Sequence, residues 1–363
     1  MIKYVDLGVS EEEYDKNISP LLKKIFLSGQ FVYESQVQEF EGAFASYCGT
    51  KYAVALNSGT DALIFALKSL GIGDGDEVIT VSNSFIATAN AISYVGAKAV
   101  FVDIKDDLLI DNSKIEDAIT NKTKAIIPVH LMGLICDMDE ILQIAKKHNL
   151  FVIEDAAQSV GSKYKNKMSG SLSDVGCFSL HPLKNLSGVT DGGVVTTDNE
   201  EVATYIKQVR NHGLIDRDNQ NIIGRVSRLS SINAVILNYR LGKLDVIIKR
   251  RREMATLYDE LLKDIDYVAL INVDSNKFHT YHTYIIKVQN RTKLQSYLLD
   301  NGVETKIHYP ILIHKQKPYK GINTCLKNTQ TLAKQTLTLP ISNLSATEVE
   351  YVCKKISNFY EGL

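Results

Sequence analysis

Apolar positions along the chain fall into short runs rich in β-branched residues, separated by stretches of helical period. The run YAVAL at 52–56 predicts a strand, and GTDALIFALKSLG at 59–71 an amphipathic helix with a glycine at its end. DEVITV at 76–81 predicts the next strand, followed by the helical SFIATANAISYVGA at 84–97. AVFVDI, KAIIPVH and LFVIEDA are further strand candidates, and MDEILQIAKKHN at 138–149 is a helix between the last two. Strands alternating with helices imply an α/β fold with a mainly parallel sheet covered on both faces. The rhythm then changes. DVGCFSL at 174–180 and GGVVTT at 192–197 are joined by a loop alone, which predicts an antiparallel edge.

After about Leu244 the texture shifts again. VIIKRRREMATLYDELLKDI at 246–265 predicts a long charged connecting helix. FHTYHTYIIKV at 278–288 reads as a strand, TKLQSYLLDNG at 292–302 as a helix, and ATEVEYVCKKISNFYEG at 346–362 as a closing helix. The expected division is a large unit over 1–245, with an N-terminal arm, and a smaller C-terminal α+β unit over 246–363. The cluster Lys249, Arg250, Arg251, Arg252 on the long helix predicts a solvated or subunit-facing surface rather than a phosphate site.

Composition narrows the class. The 363 residues carry 41 basic and 42 acidic side chains, so no nucleic-acid partner is implied. No apolar run is long enough to span a membrane. The start, MIKYVDLGVSEEE, lacks the apolar core of a signal peptide, which points to the cytoplasm. Five scattered cysteines with no CxxC pair read as reduced packing residues.

Three features carry chemistry. In VALNSGTDALIF a strand turns through Ser58, Gly59 and Thr60 into a helix, where free N–H groups and the positive helix end suit a phosphate. A plain helix cap is the competing explanation. FVIEDAAQS ends an apolar strand in Glu154 and Asp155, the place where open α/β sheets bind ligands. In FSLHPLKNLSGVTDGGVVTT, Lys184 lies between two apolar runs, where its ammonium is costly to desolvate. A phosphate turn, an acid at a strand end and such a lysine together suggest pyridoxal phosphate, which needs a Schiff-base lysine and an acid beside its pyridine nitrogen. The histidines of HTYH, His279 and His282, are three apart in a strand-like run and face opposite ways, so no metal site is expected.

These stretches resemble the DegT/DnrJ/EryC1/StrS family of sugar aminotransferases, which are fold-type I pyridoxal phosphate enzymes. The resemblance also rests on FEGAFASYCGTKYAVALNSGTDAL, KAIIPVHLMG, RNHG and HYP, and it spans nearly the whole chain. It implies that Lys184 holds the cofactor, Asp155 meets the pyridine nitrogen, and Gln158 lies beside the ring hydroxyl. It also implies that Gly59, Thr60 and Ser179 bind the phosphate and that Phe85 stacks on the ring. His308, Tyr309 and His314 in HYPILIH match a loop near the sugar, and His181 and Arg228 join them as substrate candidates. The implied reaction moves an amine from an amino acid, glutamate, to a keto-sugar carried on a nucleotide. A homodimer with sites at the interface is implied as well. Three departures stand out. Val226 occupies the place of a phosphate-binding asparagine, Glu34 follows FVY where a glycine is usual, and Leu180 replaces an aromatic. An inosose acceptor, a sugar dehydratase and a non-catalytic relative are the alternatives. Lys184 argues against the dehydratase, and intact Lys184, Asp155 and Gln158 argue against the non-catalytic relative.

Overall fold

The computed structural model of the protein describes residues 1–32, 35–322 and 325–362. Glu34 lies outside the described residues.

Seven strands form the main sheet: β1 (Tyr52–Leu56), β2 (Glu77–Val81), β3 (Lys98–Val102), β4 (Thr123–Ile126), β5 (Phe151–Asp155), β8 (Val175–Ser179) and β9 (Gly193–Thr197). Their spatial order is β1-β9-β8-β5-β4-β2-β3. The pairs β8–β5, β5–β4, β4–β2 and β2–β3 are parallel. Strand β9 alone runs against the rest, antiparallel to both β1 and β8. The antiparallel strand expected at an edge therefore lies one place inside it. The reason is long-range pairing: β1, far earlier in the chain, pairs antiparallel with the free side of β9 and so takes the edge.

Helices Gly59–Ser69, Met138–His148 and Glu200–Val209 pack on this sheet, as their apolar faces require. The sheet's interior is a continuous apolar core that includes Val54, Leu56, Leu63, Phe65, Ile153 and Val195. On the other face Phe40, Phe44 and Phe178 pack with Leu180, so the non-aromatic residue at 180 is a core side chain.

A two-residue hairpin, β6 (Lys163–Tyr164) and β7 (Lys167–Met168), pairs with β11 (Lys277–Phe278). A third sheet has the order β10-β12-β13, from Val268–Ala269, Tyr284–Val288 and Thr336–Leu339. Helices Leu244–Leu262, Arg291–Asp300 and Ala346–Glu361 surround it, with a core of their own around Tyr258, Ile286, Leu298 and Val352. The N-terminus joins this part of the molecule: Ile2 bridges Val303, and its N–H donates to Gly302 O at 2.7 Å.

The expected strand over 278–288 is two pieces. Residues 279–283 between β11 and β12 make a turn, with Tyr281 at φ 47°. The basic cluster also divides. Lys249 and Arg250 are exposed, whereas Arg251 and Arg252 are partly buried and donate to main-chain carbonyls of 279–282. The surface expected for all four holds for only two of them, because the 279–282 turn folds back onto the helix.

Candidate active site

The carboxyl ends of β1, β5 and β8 open into a cavity of about 980 Å³. Close packing shapes its floor. Ser58 caps the helix Gly59–Ser69, its hydroxyl accepting from Asp61 N–H at 3.1 Å. A Cβ on Gly59 would lie 2.8 Å from Ser179 Cβ and 3.0 Å from its Cα, and one on Gly193 would lie 2.1 Å from Ser58 O. Only glycine at 59 and 193 lets the turn lie against β8 and β9. The result brings Gly59, Thr60 and Ser179 to one wall, beside helix N–H groups that have no intrahelical partner. A phosphate fits that cradle.

Strand β5 delivers its two acids to different tasks. Glu154 is fully buried and accepts from Gly170 N–H at 2.7 Å, Leu172 N–H at 2.9 Å and Ser173 Oγ at 3.1 Å, with His130 Nε2 at 3.0 Å. These contacts make Glu154 a structural acid, and against the pull of burial the Cys136 side chain and the Glu154 carboxylate raise the His130 imidazole to about 9. Asp155 instead faces the cavity. Thr88 Oγ1 donates to its Oδ2 at 2.7 Å, and Ser84 Oγ lies 2.8 Å from Thr88 Oγ1. Burial raises the Asp155 carboxyl above the usual carboxylate range, against the pull of Thr88 and Lys184. A cation in the cavity would reverse that rise, and a protonated pyridine nitrogen is such a cation.

Lys184 lies in the loop between β8 and β9. The loop is pinched at its neck by Leu180 N–H to Gly192 O and by Gly188 N–H to Leu180 O, both 2.8 Å. Lys184 N–H donates to His181 O at 2.8 Å, which sets the turn that aims the side chain. Its Nζ has no hydrogen-bond partner among the described residues. Burial lowers the Lys184 amine from 10.5 to about 8, partly offset by the Asp155 carboxylate. An amine so placed is available as a nucleophile near neutral pH. Uptake of pyridoxal phosphate by cofactor-free protein should therefore accelerate with rising pH and level off above about 8. Stopped-flow absorbance across pH 6–11 checks this, and a midpoint near 10.5 would remove burial as the cause.

Gln158 is anchored at both ends: its Oε1 accepts from Met132 N–H at 2.7 Å and its Nε2 donates to Tyr309 OH at 2.9 Å. Phe85 is 57% exposed and lines the cavity with its ring 6.2 Å from that of Tyr309. His181 and His308 also line it. Burial and the nearby Lys184 push His308 down to about 4, so its ring is neutral, with Nδ1 2.9 Å from Thr338 Oγ1. Two candidates lie elsewhere. His314 is buried beneath the site with Nδ1 2.6 Å from Ser82 Oγ, and Arg228 is held by Asn211 Oδ1 at 3.2 Å. Neither lines the cavity. Val226 is absent from the lining too, half exposed and bridged to Asn211 through the main chain.

Several wall residues escape the sequence reading: Tyr4, Thr88, Asn185, Arg251 and His282. Thr88 follows Ser84 by four residues in the sequence, and the structure joins them with Ser84 in the bend before the helix Ala87–Tyr94 that carries Thr88. Tyr4, Arg251 and His282 arrive from distant segments and leave no local signal. His279 is buried and stacks on Tyr281 with ring centroids 3.8 Å apart, while His282 faces the cavity with Nδ1 3.2 Å from Asn185 Oδ1.

The model of the DegT/DnrJ/EryC1/StrS aminotransferase family matches residues 12–357. The chain is 40% identical over 362 residues to dTDP-3-amino-3,6-dideoxy-alpha-D-galactopyranose transaminase of Aneurinibacillus thermoaerophilus, covering 99% of each chain. It is 36% identical to UDP-2-acetamido-2-deoxy-3-oxo-D-glucuronate aminotransferase of Pseudomonas aeruginosa, covering 99% of this chain and 100% of that one. Among solved structures, S. venezuelae DesV in complex with a ketimine intermediate superimposes with a TM-score of 0.96, at 34% identity over 99% of this chain and 98% of that one. Fold and site thus define a pyridoxal phosphate-dependent aminotransferase of fold type I. The chain belongs to the DegT/DnrJ/EryC1/StrS aminotransferase family.

Proposed function

We propose that the enzyme transfers an amino group from L-glutamate to a keto-sugar carried on a nucleotide diphosphate. The product would be an amino sugar for a surface polysaccharide or a glycosylated compound. The observation that carries this reading is the buried Lys184 amine facing Asp155, in a cavity of about 980 Å³ whose wall includes the Gly59–Thr60 turn. The A. thermoaerophilus and P. aeruginosa relatives are named for dTDP-sugar and UDP-sugar substrates, which supports the nucleotide carrier.

Bound pyridoxal phosphate supplies an aldehyde that condenses with amines and a ring that withdraws electrons from the neighbouring carbon. The protein's residues do the rest. Gly59, Thr60 and Ser179 hold the phosphate. Asp155, oriented by Thr88, would hold the protonated ring nitrogen. Gln158 flanks the ring hydroxyl, and the exposed Phe85 ring covers one face. Lys184 would anchor the cofactor and, with its amine lowered to about 8, would serve as the base that moves the proton of the substrate's amino-bearing carbon. His181, His308 and Tyr309 line the space left for the sugar, the two histidines in reach of its hydroxyls as hydrogen-bond partners.

The division at 245/246 belongs to the same proposal, supported by the separate core around the third sheet. So does a homodimer, supported by exposed apolar side chains at Phe26, Leu27, Ile223 and Val226. The test of function is ¹⁵N-glutamate with the holoenzyme and a panel of dTDP- and UDP-linked keto-sugars. Label should appear in a sugar amine, at least about a hundredfold faster than in free keto-hexoses. Transfer only to sugars without a nucleotide would overturn the carrier assignment.

A further inference from the structure

Arg251 is the unusual charge in the cavity wall. It sits on the helix Leu244–Leu262, yet its side chain turns inward instead of joining Lys249 and Arg250 at the surface. Its Nη1 donates to Tyr281 O at 3.2 Å and His282 O at 2.9 Å, and its Nη2 donates to Ser342 Oγ at 3.2 Å. All three acceptors are neutral. Among the described residues no carboxylate lies within ion-pair distance of it. A guanidinium has five N–H groups, and these contacts use three.

The surroundings sharpen the point. His282 and His308, both lining the cavity, are held neutral by burial and by the cations near them, Lys184 and Arg251 beside His282 and Lys184 beside His308. Tyr4, also in the wall, keeps its proton because it is buried. None of these groups can neutralise Arg251. Burial without an anion lowers the guanidinium itself to about 10. A buried cation that lacks a protein counter-ion and faces an open cavity is a site for an anion from outside.

We propose that Arg251 is the docking point for the α-carboxylate of the amino donor. The geometry favours the donor over the sugar. Arg251 Nη1 holds His282 O at 2.9 Å, and the His282 ring lies 3.2 Å from Oδ1 of Asn185, the residue after Lys184, so one histidine links the guanidinium to the segment that carries the reacting amine. A donor's carboxylate is bonded directly to the carbon whose amine must meet Lys184's position. The diphosphate of a nucleotide sugar is separated from its keto carbon by much of a sugar ring. The cofactor phosphate has its own cradle at Gly59, Thr60 and Ser179. Two unused N–H groups on a planar fork match the two oxygens of a carboxylate.

This inference rests on the aminotransferase reading, and the test separates the two. The holoenzyme and the Arg251→Gln variant are each given L-glutamate and its α-amide, and conversion of the bound cofactor to its amine form is followed by absorbance. Gln keeps an amide N–H for the 281–282 carbonyls and removes the charge. Wild type should prefer glutamate over the α-amide by about a hundredfold or more, and Arg251→Gln should shrink that preference to below about tenfold. The reverse half-reaction, from the amine form to a nucleotide keto-sugar, should change by less than about threefold. Arg251→Lys, with charge but no fork, should fall between. An unchanged preference with both donors slowed equally would make Arg251 only a staple between the helix and the 281–282 turn, and would overturn the proposal. Selective loss of the keto-sugar half-reaction would also overturn it and assign the anion to the sugar. If no amino acid converts the wild-type cofactor to its amine form, the aminotransferase reading itself fails.

Discussion

Lys184→Ala is expected to reduce turnover by about ten-thousandfold, the upper range for loss of a positioned acid–base group. The same change should abolish the visible absorption that cofactor bound to the lysine produces. Folding should survive it. The Lys184 amine is lowered from 10.5 to about 8 by burial, so its charged form is less favourable folded than unfolded. The sign follows. Below pH 8 the folded protein carries the unfavourable charge, and between 8 and 10.5 that burden fades as pH rises. At pH 7 the cofactor-free Ala variant should therefore melt at or above the wild-type temperature. Calorimetry and steady-state rates on the same preparation check both halves. An Ala variant as active as wild type would remove Lys184 from the chemistry.

Asp155→Asn is the second large effect, at about a thousandfold, or about 4 kcal/mol of transition-state stabilisation. Asp155 is the acid at the cavity end of β5, and Thr88 fixes its Oδ2 at 2.7 Å. Its carboxyl is raised by burial in the protein alone, so a cation opposite it is what restores the ionised form. A neutral amide cannot hold a protonated ring nitrogen, and the ring then draws electrons poorly. The variant should still bind cofactor, because the phosphate cradle and Lys184 are untouched. Single-turnover rates with glutamate measure the loss. A rate within about tenfold of wild type would show that Asp155 does not face the ring.

Much of this site is legible in the sequence because it is local. Ser58, Gly59 and Thr60 sit where an apolar strand meets a helix, and Asp155 ends another apolar strand. Lys184 stands out because a charge interrupts two strand-like runs. The antiparallel β9 is legible because only a loop, 180–192, joins it to β8, but its inner position is not. Which strand becomes the edge is decided by β1 pairing across a long sequence separation. Arg251 shows the limit most clearly. In the sequence it is one of four consecutive cations, and such runs favour solvent. Only the turn at 279–283, folded onto the helix by tertiary contacts, draws Arg251 inward. The turn leaves no local signal because its Thr and Tyr residues favour strands. His314 belongs to the HYPILIH stretch, yet its ring meets Ser82 Oγ at 2.6 Å and does not line the cavity, which the local sequence does not show.

The account's central claim is that Lys184, facing Asp155 in this cavity, carries the cofactor. The direct test is reduction of the holoenzyme with borohydride, followed by proteolysis and mass spectrometry of the lysine-containing peptides. The account predicts one phosphopyridoxyl group per chain, on the peptide that contains Lys184. A stoichiometric label on any other lysine, or an unlabelled Lys184 in an active preparation, would contradict it.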